Sequence, residues 1–99
     1  MARRYRKKPI TIEAVQWTGD NADELKAFVG VREDTGEPGF VLPGESAEGW
    51  DEAQVWALEE RTWCTVPIGH WVMRGVAGEF YGCAPLIFAA TYDPVDEDD

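Results

Sequence analysis

Apolar positions near the start of the chain alternate as a pleated strand requires. Ile10, Ile12 and Ala14 fall on one side, and Thr11, Glu13, Val15 and Trp17 on the other. The spacing predicts a strand over residues 9–17, with β-branched isoleucines suited to a pleated surface. Thr18-Gly19-Asp20-Asn21 breaks it. Ala22, Leu25, Phe28 and Val29 then recur at helical spacing, and Gly30 supplies a left-handed stop. A helix over 22–29 follows, with Asn21 and Glu24 spaced as a capping box.

The middle is rich in turn signals, from Glu33 to Gly39 and again at Pro43-Gly44, with Phe40-Val41-Leu42 as a brief strand between them. Residues 44–53 read as an acidic loop. Beyond them the pattern is a meander. Residues 54–60 and 61–66 form a first hairpin, Pro67-Ile68-Gly69 a turn, and residues 71–75 and 79–83 a second hairpin around Val76-Ala77-Gly78. Ala84-Pro85 opens a turn or a short helical segment carrying Leu86, Ile87 and Phe88, and Thr91-Tyr92-Asp93 closes the fold as a last strand. The order is α+β: a small curled antiparallel sheet or partial barrel with one short helix after the first strand. It forms one domain over 1–99, with a basic arm at 1–8 and an acidic tail at 93–99.

Composition sharpens this picture in four places. Five tryptophans in 99 residues supply large apolar surfaces, for the core or for a groove or oligomer contact. The net charge of −10 is unevenly spread: five of the nine basic residues lie at positions 3–8. From residue 9 onward four basic residues face nineteen acids, leaving −15. That balance disfavours general binding to nucleic acid and leaves two special cases, a basic arm that touches it or an acidic surface that imitates it. No apolar run is long enough to span a membrane, and the basic start is not followed by the apolar core of a secretion signal. Cys64 and Cys83 lack ligand spacing and His70 is the sole histidine, so no metal site or cofactor is expected and the thiols read as reduced.

Candidate chemistry is sparse. His70 with a cysteine nucleophile and Glu79 as orienter is the weakest proposal, since no spacing fixes it. The doublets Asp51-Glu52 and Glu59-Glu60 point to opposite sides of a strand, so neither can share a proton. Arg74 and Glu79 face each other across the second hairpin as a cross-strand ion pair. Together with Tyr81 and an indole from Trp71 or Trp17 they could hold a planar polar ligand, of which a nucleotide-like small molecule is the best motivated.

The segments that carry a resemblance lie at the two ends. Arg4-Tyr5-Arg6-Lys7-Lys8-Pro9 with Ile12-Glu13-Ala14-Val15-Gln16-Trp17-Thr18-Gly19, and the stretch from Gly69 to Val95 containing Arg74-Gly75, Gly78-Glu79-Phe80-Tyr81 and Thr91-Tyr92, are similar to a group of small phage and prophage proteins. The usual Gly-Asp-Trp is here Gly69-His70-Trp71, and the usual Tyr-Pro-Cys-Lys-Pro-Asp is Tyr81-Gly82-Cys83-Ala84-Pro85-Leu86. The resemblance implies phage origin and a place in the host cytoplasm. It implies no activity. The expectation is a non-catalytic accessory binding protein that engages a host protein or itself as a homo-oligomer. The alternatives are a nucleotide-sequestering module and an acidic DNA mimic.

Overall fold

The computed structural model describes residues 2–5, 10–45 and 48–95. Its elements are β1 (Glu13–Gln16), α1 (Ala22–Val29), β2 (Phe40–Val41), β3 (Ala53–Ala57), β4 (Thr62–Val66), β5 (Trp71–Arg74), β6 (Phe80–Cys83) and α2 (Pro85–Thr91). The strands form two antiparallel sheets of three, ordered β1-β5-β6 and β2-β3-β4. The fold is therefore α+β with antiparallel sheets and a helix after the first strand, and neither sheet closes into a barrel.

In the first sheet β1 registers on β5 as Glu13↔Arg74 to Gln16↔Trp71, and β5 on β6 as Trp71↔Cys83 to Arg74↔Phe80. Alternation then separates the side chains. Val15, Val72, Arg74 and Phe80 share one face; Ala14, Trp71, Met73 and Tyr81 share the other. The first of these faces meets α1 and the second sheet. The core lies there: Trp17, Leu25, Val29, Phe40, Ala53, Val55, Val66 and Val72, with Phe28, Leu42, Cys64 and Phe80 packed around it. Trp17 is 3% exposed and meets Phe40 edge-on, ring centres 5.4 Å apart. Burying each such large side chain stabilises the fold by about 1.5–3 kcal/mol.

Helix α1 has the bounds its spacing predicts, and Gly30 ends it at φ +72°. Asn21 stands at the N-cap, but its side chain bonds no helical N–H. Its side-chain amide donates to the Gln16 carbonyl (2.8 Å) and to Glu24 Oε1 (2.9 Å), while its Oδ1 accepts the Thr18 N–H (2.9 Å). The residue spends its hydrogen bonds on joining β1 to the helix.

Two further elements, the start of β1 and the expected last strand, depart from the sequence pattern, and of the two alternatives after Ala84 the helical one forms. β1 begins at Glu13, and Ile10, expected within the strand, is 46% exposed. A second helix, α2, opens with Pro85 at its first turn, where a missing N–H costs nothing. Thr91 ends this helix, and Tyr92 and Asp93 form no strand. Phe88 of α2 stacks flat on Trp71, 4.0 Å between centres and 6° between planes. No described helix is long and apolar enough to cross a membrane.

Candidate functional site

The second sheet has an inner and an outer face. β3 registers on β4 as Ala53↔Val66 to Ala57↔Thr62 and on β2 as Phe40↔Val55. Because Ala53, Val55, Ala57 and Val66 point into the core, Trp56 and its cross-strand partner Trp63 must point out. Their rings meet edge-on at 5.3 Å, and Trp50 extends the row, 5.8 Å from Trp63. All three are half-buried.

Arg32 completes the row from a neighbouring turn. Its N–H donates to the Glu37 carbonyl (2.7 Å), its own carbonyl accepts from Gly36 (2.8 Å), and Val31 bridges Pro38. Gly39 anchors this turn on both sides: its N–H donates to the Gly30 carbonyl (2.9 Å) and its carbonyl accepts the Trp56 N–H (2.8 Å). The result places the Arg32 guanidinium 3.7 Å from the Trp56 ring centre and 5.5 Å from that of Trp63. Asp34 grips the same guanidinium with two hydrogen bonds, at 3.0 and 2.8 Å, and this holds the Asp34 carboxyl below its ordinary pKa. Among the described residues, the buried indole Nε1 of Trp56 has no hydrogen-bond partner.

A groove of about 500 Å³ starts at this row. Arg32, Glu33 and Gly39 form one wall, Trp56, Leu58 and Glu59 another, and Arg74, Glu79 and Phe80 of the β5–β6 hairpin the third, over a floor that includes Val29. Two of the four basic side chains beyond residue 9 thus line one groove. Arg74 lies between the Phe28 and Phe80 rings, 5.2 Å from each centre. It donates to the Phe28 carbonyl at the end of α1 (3.1 Å) and to Glu13 (3.2 Å).

The expected Arg74–Glu79 ion pair is not formed. Arg74 sits opposite Phe80, and Glu79 falls one place earlier, in the turn closed by the Gly75 N–H to the Glu79 carbonyl (2.8 Å). The Glu79 carboxylate folds back to accept the Ala77 N–H (3.0 Å). Arg74 and Glu79 share the groove without sharing a bond.

The other expected site residues lie elsewhere. Trp17 is core. Trp71 and Tyr81 occupy the opposite face of the first sheet from Arg74, with Trp71 beneath Phe88 of α2. Burial, with Tyr92 adding to it, pushes the Tyr81 phenol above its ordinary pKa. Arg74, Tyr81 and an indole therefore do not converge on one ligand. Trp50, Trp56, Trp63 and Arg32 take their place. Alternation between Val55 and Ala57 already marks Trp56 as outward; nothing in the sequence marks Arg32, whose position depends on the folded turn.

The groove offers guanidinium donors, an indole ring, carboxylate acceptors and apolar walls, the materials of recognition. Neither His70 nor either cysteine lines it. The acidic loop and tail of the mimic reading fall partly on residues 46–47 and 96–99, outside the described residues. No known family model matches the chain, and neither a curated protein nor a solved structure does.

Proposed function

We propose that this chain is a phage-encoded accessory protein that binds a protein partner without turning over a substrate. The carrying observation is the outward row Trp50–Trp63–Trp56, topped by Arg32 and continuous with the groove. Tryptophan and arginine are the side chains that dominate protein interfaces, through large area and low entropy cost. A small domain stabilises itself best by burying indoles, and this one leaves three half-exposed on one face. The mixed charge of the groove, two guanidiniums against Glu33, Glu59 and Glu79, suits a partner that carries both signs. The end-segment resemblance supplies the phage origin and the host cytoplasm as the setting.

The test is capture from a bacterial lysate with the tagged chain, its Trp50→Ala and Trp63→Ala variants, and Leu86→Ser on exposed α2 as control. Proteins retained by the native chain and the control, and lost from both tryptophan variants, are the expected outcome. Equal capture by all four chains would remove the reading.

A second reading, a nucleotide-like ligand, is favoured by one feature: Arg32 on Trp56 and Arg74 within the same groove. A planar base could stack on the guanidinium plane. The three glutamates oppose a triphosphate, so nucleosides and monophosphates are the ligands to screen by thermal shift.

A further inference from the structure

We infer that the outer face of the β2–β3–β4 sheet receives the basic segment Arg3–Lys8 of a second copy of this chain. This rests on the binding reading above and names its partner. Residues 3–8 carry five positive charges, and the remainder of the chain carries −15. One copy therefore offers the charge another lacks. Ala2 to Tyr5 are exposed, Tyr5 by 89%. The ion pairs among the described residues use Lys26, Arg32 and Arg74, which leaves Arg3 and Arg4 unneutralised there by their own body.

The receiving face already performs the chemistry once. Arg32 lies on Trp56 with Asp34 gripping its fork. Trp63 and Trp50 continue the row, with Asp51 and Glu52 following Trp50 in the chain and Glu59 beside Trp56 in the groove. An incoming guanidinium stacks on a half-exposed indole while a neighbouring carboxylate takes its N–H donors. Tyr5 adds an aromatic ring to the row. Reciprocal exchange of the two segments closes a two-fold dimer, with no open end to propagate.

The experiment is sedimentation of the full chain across a wide concentration range, beside Arg3→Glu/Arg4→Glu and Trp50→Ala. The expected result is a native dimer whose association weakens by about tenfold or more in the charge-reversed variant, and also in Trp50→Ala. The arm variant alters only exposed residues, so its folding is not at issue. In parallel, a synthetic peptide of residues 1–9 added to the native chain should change indole emission saturably and compete the dimer apart. A monomer at every concentration, a dimer indifferent to arm reversal, or a peptide that affects native and Trp50→Ala chains alike would overturn the inference. A monomeric chain whose lysate capture still depends on Trp50 and Trp63 would overturn it alone and leave the binding reading intact.

Discussion

Arg32 and Trp56 are in direct cation–π contact, the guanidinium 3.7 Å from the ring centre, although they come from a turn and a strand twenty-four positions apart. The contact joins the outward tryptophan row to the groove. Arg32→Ala should destabilise the fold by about 1–2 kcal/mol, from the lost contact and the covering of its stem. Arg32→Lys should recover only part, because ammonium has no plane to stack and no fork for Asp34. Chemical denaturation measures both, and indole emission should shift red in the alanine variant as Trp56 is uncovered.

Arg74 and Glu79 should be energetically independent. A double-mutant cycle between them should give a coupling near zero, whereas the Arg74–Glu13 cycle should give about 0.2–1 kcal/mol, as for other exposed pairs. A larger coupling for Arg74–Glu79 would mean that the turn is closed differently.

Gly39→Ala tests the anchor of the Arg32 turn. A Cβ there would lie 2.8 Å from Val29 Cγ1 and 3.5 Å from the Gly30 carbonyl. Val29 is buried and β-branched, so it cannot rotate aside freely. Loss of about 1–3 kcal/mol is expected in thermal unfolding, as for other overpacked sites.

The pH dependence of Asp34 has a fixed sign. The Arg32 hydrogen bonds depress its pKa in the folded state, so its contribution is present above the unfolded value and is lost as pH falls through the folded one. A carbon-detected NMR titration should place the Asp34 midpoint below that of an ordinary aspartate. Arg32→Ala should raise it back.

Local pattern made much of this fold readable. Helix α1 follows from its apolar spacing and Gly30, the β5–β6 hairpin from alternation broken by Gly75 and Gly78, and the β3–β4 hairpin from alternation alone, since its turn at residues 58–61 holds no glycine and puts Arg61 at φ +54°. The division into two sheets was not readable, because no local signal says that β1 pairs with β5 rather than with β2. The grouping of Trp71 and Tyr81 with Arg74 fails on the face each side chain takes. Trp71 and Arg74 stand three residues apart on one strand, an odd spacing that sends them to opposite sides, so the grouping could have been rejected from the sequence. Arg74 and Glu79 required the register itself, since a shift of one residue decides whether Glu79 or Phe80 stands opposite. Arg32 required the folded 31–39 turn.

The division of the tryptophans between interior and outer face is tested most directly by unfolding and association measured side by side for Trp17→Ala and Trp50→Ala. Trp17→Ala should lose about 3–5 kcal/mol of stability. Trp50→Ala should keep most of its stability and lose self-association. If Trp50→Ala instead unfolds as severely as Trp17→Ala, the outer row is packing and not a working surface; if it associates as the native chain does, the row is not where a second copy docks.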